Sequence, residues 1–226
     1  MGYKEIGRQI LYGVFDPAVH GLHRLGVTPN VITILGLILN VAAALHLTNY
    51  LHFESLQYGE CLFGFGIWLG FAGLMDTMDG RLARLYDLKS VFGAFFDSVV
   101  DRYSEFIMFL GMILYFFAFD NLIGAVLCFV ACMSSIMVSY TRSRAESLGV
   151  DCSVGLMQRP ERIVFIGVWS IIWGLSYLSQ GSDVLQPLMF GIDGYVGGLV
   201  VFTWMTTVSA IRRLLYTRRT LLSRSH

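Results

Sequence analysis

Four aspartates near the middle of the chain have the spacing expected of a metal site. Asp76 and Asp79 are three residues apart, and Asp97 and Asp101 are four residues apart. Residues at these spacings lie on one face of a helix. Because only a short segment separates the two pairs, their helices are expected to be antiparallel neighbours whose acidic faces converge. Converging carboxylates repel one another, and a hard divalent cation such as Mg²⁺ or Mn²⁺ cancels that repulsion by taking oxygen ligands.

The residues around these acids suit a ligand that carries phosphate. Gly80, Ala83 and Gly93 lack bulk, which would let a nucleotide approach the backbone. Arg84 has a planar fork of donors that suits either a phosphate or the bracing of a carboxylate. The alternative is structural: the acids would cap helix ends or pair with nearby arginines, and the small residues would serve only close helix contacts.

A second group of candidate residues is basic. Arg159 and Arg162 share a face at a helix start, where backbone N–H groups also favour anions. Together with Arg142 and Arg213 they would make a phosphate pocket beside the carboxylates. The alternative is that these arginines anchor the protein to anionic lipid headgroups.

Long apolar segments supply the helices that must position these residues. The 226 residues are 55% hydrophobic and only 14% charged, which excludes an ordinary soluble surface. Crossing a bilayer takes about 20 apolar residues. Six segments meet that length, at residues 28–49, 59–78, 92–118, 122–142, 161–179 and 195–212. A globular protein with buried helices is the alternative, but it would have almost no polar surface left.

The sequence therefore predicts an all-α, polytopic membrane protein with six transmembrane helices in a single domain, residues 1–226. Residues 28–212 form the bundle, and residues 213–226 form a cytoplasmic tail. Residues 1–27 carry several charges among their apolar positions, which argues against a cleavable signal and favours a helix lying at the headgroups. A plain cytosolic lead-in is the alternative for this segment.

The distribution of basic residues predicts the topology. All 16 lysines and arginines fall on one side of the six segments. The loops on the other side have acids and no base: Glu54, Glu60, Asp120, Asp183 and Asp193. The positive-inside bias then places both termini and the acidic site on the cytoplasmic side of the cell membrane.

The acidic segment resembles the signature of a known family. Asp76-x₂-Asp79-Gly80-x₂-Ala83-Arg84 is followed, after eight residues, by Gly93-x₃-Asp97-x₃-Asp101, which is similar to the motif of the CDP-alcohol phosphotransferases. The resemblance implies a metal-dependent enzyme, usually dimeric, that acts on a CDP-linked lipid. Carried over by position, the metal ligands are Asp76, Asp79 and Asp97, with Asp101 as general base and further ligand. The CDP-lipid site would contain Asp79, Gly80, Ala83, Arg84 and Gly93.

A second resemblance concerns the acceptor alcohol. A basic residue at position 142, then Arg-Ala-Glu and Arg-Pro-Glu-Arg, is similar to the prokaryotic phosphatidylinositol phosphate synthases. It implies that Arg142, Arg162 and Arg213 hold the phosphate of inositol phosphate, although Arg212 could take the place of Arg213.

Other functions stay open at this stage. Phosphatidylglycerophosphate synthesis from glycerol phosphate is the first alternative, and a non-catalytic lipid-binding protein or a cation transporter is more remote. The expected partners are a CDP-linked lipid, a phosphorylated polar alcohol, membrane lipids and a second copy of the chain, with no nucleic acid.

Overall fold

Seven α-helices make up the described part of the chain, in a computed structural model that describes residues 3–49, 58–180 and 194–224. These residues contain no β-strand. The helices are α1 Tyr3–Arg24, α2 Pro29–Asn49, α3 Tyr58–Leu85, α4 Val91–Ala118, α5 Leu122–Ser147, α6 Arg159–Gln180 and α7 Gly194–Arg224. The predicted all-α class is confirmed.

Five described helices are long and apolar enough to cross a membrane, namely α2, α3, α5, α6 and α7. The protein is therefore a multi-pass membrane protein. The sixth predicted span corresponds to α4, whose 28 residues include Asp101, Arg102 and Glu105. These charges interrupt the apolar run at a point where the helix faces its neighbours, and the count of six spans stays a prediction.

Three helices extend well beyond their predicted apolar segments, and one of them, α5, continues five residues past position 142 to Ser147. Helix α3 continues seven residues past position 78 to Leu85, and α7 continues to Arg224, so most of the predicted tail 213–226 is helical. None of these extensions contains a proline or glycine after Gly80 that would end the helix. Of the acidic loop residues used for the topology, Glu54, Asp183 and Asp193 lie outside the described residues.

The third helix is central, and it packs mainly against α2 and α6, while α5 packs against α7 and α4. Glycines let α3 and α6 approach closely. A Cβ at Gly66 would lie 2.6 Å from the carbonyl oxygen of Gly167, and one at Gly59 would lie 2.6 Å from that of Gly174. Small residues at such crossings are the usual way for membrane helices to gain packing contacts, because lipid supplies no hydrophobic drive between them.

The N-terminal helix is attached to the end of α3. Val19 is buried against Met78 and Leu82, and Asp16 accepts two hydrogen bonds of 2.8 Å from Arg81. That guanidinium lowers the pKa of the Asp16 carboxyl from 3.8, against a smaller opposing effect of burial. The predicted helix at residues 1–27 is present, but the side chains of Tyr3, Ile6, Ile10 and Leu11 lie outside the described ones.

A tight turn after α3 sets the register of α4. Asp87 has φ 54°, and Ser90 caps α4 by accepting a hydrogen bond of 2.9 Å from the Gly93 N–H. Aspartate tolerates this left-handed conformation better than most residues, and serine is a preferred helix cap. With α4 begun at Val91, Asp97 and Asp101 follow on successive turns beside the end of α3.

Candidate active site

Three of the four aspartates converge between α3 and α4. Asp76, Asp97 and Asp101 each offer a carboxylate oxygen, and these oxygens all lie within 4.8 Å of one another. Oxygen ligands at this separation suit a single divalent cation. The expected direct packing of α3 on α4 is wrong, because both helices pack against α2 instead. The carboxylates approach one another across a cleft that α2 also lines.

Asp79 is not part of that set, contrary to the expected convergence of all four acids. Its Oδ2 accepts a hydrogen bond of 2.7 Å from the Thr33 hydroxyl on α2. Three residues along a helix leave an offset of about 60°, enough for Asp76 to face α4 while Asp79 faces α2. Asp79 nevertheless lies close to the other acids. It lines a small cleft together with Asp76 and Asp101, and it lines a pocket together with Asp97.

Arg159 contacts the carboxylate cluster directly. Its Nη1 lies 2.6 Å from Asp76 Oδ1, and its Nη2 lies 2.6 Å from Asp101 Oδ1. Arg102 lies 3.4 Å from the other oxygen of Asp101. The sequence analysis grouped Arg159 with the acceptor-phosphate arginines, whereas here it is placed among the acids.

A pocket of about 210 Å³ adjoins the cluster. Most of its exposed wall is apolar, but we call it the polar pocket because its lining includes the polar residues Asn30, Thr33, Asp79, Lys89, Ser90 and Asp97. Its walls include Asp79, Gly80, Ala83, Gly93 and Asp97, all of them residues singled out from the sequence. The Arg84 guanidinium lies next to Gly80, since a Cβ added at that glycine would lie 3.2 Å from Arg84 Nη1. The small residues leave the space that the sequence analysis expected for a nucleotide.

A second cavity of about 370 Å³ opens between α3 and α6 on the other side of Asp76. It is almost wholly apolar, and Phe15 of α1 forms part of its wall. The sequence analysis did not identify this cavity. The signal was present in the glycines Gly66, Gly70 and Gly73 of α3 and Gly167 of α6, which recur about one turn apart and clear a path along the helix.

Arg162 lies deep in the bundle, only 1% exposed. Its Nε donates to Glu105 Oε1 at 3.0 Å, Nη1 donates to the Met157 carbonyl at 3.0 Å, and Nη2 donates to the Ser139 hydroxyl at 3.0 Å. Glu105 also accepts a hydrogen bond from Ser135. Glu105 and Arg162 therefore form a buried ion pair inside the bundle.

Arg213 is 2% exposed and donates to the carbonyls of Val138 and Val154. No carboxylate lies within salt-bridge distance of it among the described residues. The cations Arg142 and Arg162 and the anion Glu146 are all near enough to act on its charge. Arg142 itself pairs with Glu146 at 2.8 Å at the half-exposed end of α5.

This fold and site define a class: a polytopic helical membrane protein whose carboxylate cluster lies between a polar pocket and an apolar cavity, as an enzyme acting on a lipid with a charged headgroup would need. Residues 26–208 match the CDP-alcohol phosphatidyltransferase family. The chain belongs to that family, and the membership and enzyme class predicted from the acidic signature are confirmed.

Relatives of known name share most of the chain. An archaetidylinositol phosphate synthase of Methanothermobacter thermautotrophicus is 33% identical over 159 residues, which are 70% of this chain and 72% of the relative. A phosphatidylinositol phosphate synthase of Mycobacterium bovis is 34% identical over 166 residues, 71% of this chain and 70% of the relative.

Solved structures of the Mycobacterium tuberculosis phosphatidylinositol phosphate synthase have the same fold. The form with CDP-DAG bound superposes with a TM-score of 0.70 at 27% identity, covering 89% of this chain and 92% of that one. The form in complex with manganese and citrate gives a TM-score of 0.69 at 27% identity, covering 89% of this chain and 87% of that one.

Proposed function

We propose that this protein transfers a phosphatidyl group from a CDP-linked lipid such as CDP-diacylglycerol to inositol phosphate, releasing CMP. The family gives the reaction class, and the named relatives are inositol phosphate lipid synthases. For the choice of acceptor, the observation that carries the proposal is the buried Arg213 with no acidic partner among the described residues. A buried cation without a counter-ion is costly, and a phosphate on the acceptor would remove that cost.

A divalent metal, Mg²⁺ or Mn²⁺, is the cofactor. Manganese is bound in a solved relative, and the residues here fit a metal. Oδ1 of Asp97 is buried and has no hydrogen-bond partner among the described residues, as expected of an oxygen meant for a cation. In this proposal Asp76, Asp97 and Asp101 hold the metal from the cluster, and Asp79 joins them from the side of the polar pocket.

The two cavities divide the donor lipid into its polar and apolar parts. The cytidine would occupy the pocket at Gly80, Ala83 and Gly93, where side-chain bulk is missing. The lipid chain would lie in the apolar cavity between α3 and α6, beside Asp76. The pyrophosphate that joins these parts would then lie at the carboxylate cluster, with Arg84 beside the nucleotide.

The chemistry is a displacement at the lipid-linked phosphorus. A hydroxyl of the acceptor forms a new oxygen–phosphorus bond, and the bond from that phosphorus to the oxygen of CMP breaks. Asp101 takes the proton of the attacking hydroxyl as general base, a role that requires its ionised form. When bound, the metal neutralises the pyrophosphate charge and makes CMP a better leaving group.

The acceptor phosphate would bind where Arg142, Arg162 and Arg213 lie near one another. Arg213 contributes a buried charge that has no direct ion pair among the described residues, and Arg142 adds a second cation from the end of α5. Arg162 lies at the base of this site and adds to its positive charge. Its side chain is held in place by hydrogen bonds to Glu105, Ser139 and Met157. Arg159 lies apart from this group because it is held by Asp76 and Asp101.

The orientation, the membrane and the assembly belong to the same proposal. Placing both termini and the site on the cytoplasmic side of the cell membrane lets CDP and a polar acceptor arrive from water while the lipid chains remain in the bilayer. The homodimer is expected from the family resemblance.

The experiment compares acceptors with the purified full-length protein. CMP release from CDP-diacylglycerol is measured in the presence of Mn²⁺, with inositol phosphate, glycerol phosphate or free inositol as the acceptor. We expect inositol phosphate to be preferred. Preference for glycerol phosphate would replace the proposal with phosphatidylglycerophosphate synthesis, and preference for free inositol would remove the reason for a phosphate pocket.

Substitutions of Arg213 and of its neighbour Arg212 test the proposed phosphate pocket. Arg213→Gln should raise the apparent KM for inositol phosphate by about tenfold to a hundredfold, because losing one charge-assisted hydrogen bond weakens binding by about that factor. The KM for the CDP-lipid should be nearly unchanged. The control is Arg212→Gln, because Arg212 is exposed on the same helix. Equal effects of the two variants would show that only general surface charge matters.

A further inference from the structure

The carboxylate cluster already contains a cation supplied by the chain. Arg159 bridges α3 and α4 by placing one nitrogen 2.6 Å from Asp76 and another 2.6 Å from Asp101. Its side chain is 16% exposed, so these contacts are largely shielded from water. The guanidinium therefore neutralises part of the charge at the site where the proposed metal would bind.

We propose that Arg159 is the resident counter-ion of this cluster, which holds the carboxylates in the metal-free protein and is displaced by the divalent cation. The inference rests on the proposed metal site and assigns Arg159 a positioning role there, in place of a contact with the acceptor phosphate. Metal and guanidinium compete for the same two carboxylates, those of Asp76 and Asp101.

The charges explain why a resident cation is needed. Three ionised carboxylates whose oxygens lie within 4.8 Å would repel one another strongly in a partly buried site. A guanidinium offsets one of the three charges and, because its donors form a planar fork, it can bridge two carboxylates at once. The two helices can thus stay together before a metal arrives.

The same contacts explain why a divalent metal would displace the Arg159 side chain from the carboxylates. With Arg159 in place, the buried Asp97 Oδ1 and the Arg159 Nε both have no hydrogen-bond partner among the described residues. A dication would bring twice the charge of the guanidinium, and Asp76, Asp97 and Asp101 could each supply it with an oxygen. The positive charges of the metal and of Arg159 would also repel each other across the same carboxylates, which favours release of the side chain.

The position of Arg159 in α6 allows the exchange without a change of fold. Arg159 is the first residue of α6, and Pro160 restrains the backbone of that first turn. Only the long side chain needs to swing away from Asp76 and Asp101. Since Pro160 also lines the apolar cavity, the released guanidinium stays beside the proposed donor site.

The test measures Mn²⁺ affinity by electron paramagnetic resonance, with the full chain in detergent and no substrate. Arg159→Gln should bind Mn²⁺ about tenfold to a hundredfold more tightly than the wild type, because the competing charge-assisted bonds are gone. The matched control is Arg102→Gln, which also removes a positive charge near Asp101 but lies 3.4 Å from Oδ2. We expect it to strengthen binding by less than about threefold, because Arg102 makes one longer contact with a single carboxylate of the cluster and does not bridge two.

Equal gains for Arg159→Gln and Arg102→Gln would overturn the competition, since a general electrostatic effect would then suffice. Unchanged or weaker Mn²⁺ binding by Arg159→Gln would overturn it too. If the wild type itself binds no Mn²⁺, the proposed metal site fails first, so the two failures are distinguishable.

Thermal unfolding in a chelator gives a second readout. Arg159→Gln should unfold at a lower temperature than the wild type without metal, and Mn²⁺ should raise its unfolding temperature by more than it raises that of the wild type. Should that variant not fold, Arg159→Lys serves instead, because a single ammonium bridges two carboxylates poorly and intermediate Mn²⁺ affinity is expected. Wild-type affinity in Arg159→Lys would contradict the bridging role.

Discussion

Neighbouring residues of the same type have different surroundings in this site. Asp76 lies near Asp97 and Asp101 across the cleft between α3 and α4, whereas Asp79, three residues later, accepts a hydrogen bond from Thr33. Arg212 is exposed, whereas Arg213 is buried. In each case the side chain's direction, rather than its chemical type, decides what it can bind.

A prediction at this scale concerns Asp97, whose buried Oδ1 has no hydrogen-bond partner in the described part of the chain. Asp97→Asn removes a charged ligand, so we expect Mn²⁺ binding and CMP release to fall by on the order of a hundredfold or more, with the protein still folded. Asp120→Asn is the control, because Asp120 is exposed at the far end of α4 and its φ of 53° suits asparagine equally. Near-normal turnover in purified Asp97→Asn would remove this residue from the metal site.

The packing of whole helices brings the two parts of the proposed donor-lipid site together. The turn at Asp87 and the Ser90 cap set α4 beside α3, and the glycine contacts of α3 with α6 leave an apolar cavity along the same helix. The N-terminal helix takes part because Phe15 lines that cavity while Asp16 holds Arg81. The attachment of α1 to α3 is therefore part of the proposed lipid site.

Breaking the Asp16–Arg81 pair should loosen α1. We expect Asp16→Asn to speed amide hydrogen exchange over residues 15–24 by up to about fivefold at pH 7, the upper range for a surface ion pair. Asp87→Asn, on the exposed turn after α3, should leave this exchange unchanged. If both variants behave alike, the pair does not hold α1.

The same pair has a defined pH dependence. Since Arg81 lowers the Asp16 pKa below 3.8 in the folded protein, the carboxylate's contribution is fully present above that value and is lost as pH falls through the lowered pKa. The difference in exchange between the wild type and Asp16→Asn should thus stay constant from pH 8 to about pH 5 and shrink only in stronger acid. A difference that changed near pH 6 would show that the Asp16 carboxylate is not the group responsible.

At the scale of the whole molecule, charge is distributed between the two ends of the bundle. Arg81, Arg84 and Lys89 lie around the α3–α4 turn, at the end that holds the carboxylate cluster, and Asp120 lies at the opposite end of α4. The carboxylate cluster and the basic residues of the α3–α4 turn therefore lie at the same end of the bundle. A polar acceptor from the cytoplasm could reach the site without crossing the bilayer if this side is cytoplasmic.

Cysteine labelling of intact cells tests that orientation. Ser147→Cys at the end of α5 and Ser179→Cys near the end of α6 are a matched pair, because both serines are exposed, neither substitution changes charge, and the two positions lie at opposite ends of the bundle. The native cysteines are all buried and should react slowly. We expect an impermeant maleimide to label position 179 from outside and position 147 only after permeabilisation; the reverse pattern would invert the topology.

The sequence by itself determined the fold class, the family and the residues of the proposed metal site. These properties depend on local patterns, namely apolar length, the spacing of the acids, and the small residues between them, and such patterns survive whatever the helices pack against. The distribution of lysines and arginines between the two sets of loops can also be read from the sequence alone, and it predicts the orientation in the membrane.

Only the tertiary structure decided which long side chains meet. Arg159 reaches Asp76 across 83 positions, and Arg162 reaches Glu105 across 57. The choice between Arg212 and Arg213 depends on which face of α7 packs against α5, and the apolar cavity depends on how closely α3 and α6 approach. An arginine side chain can point several ways from one backbone position, so its partner is fixed by the three-dimensional packing of separate helices and cannot be deduced from its place in the chain.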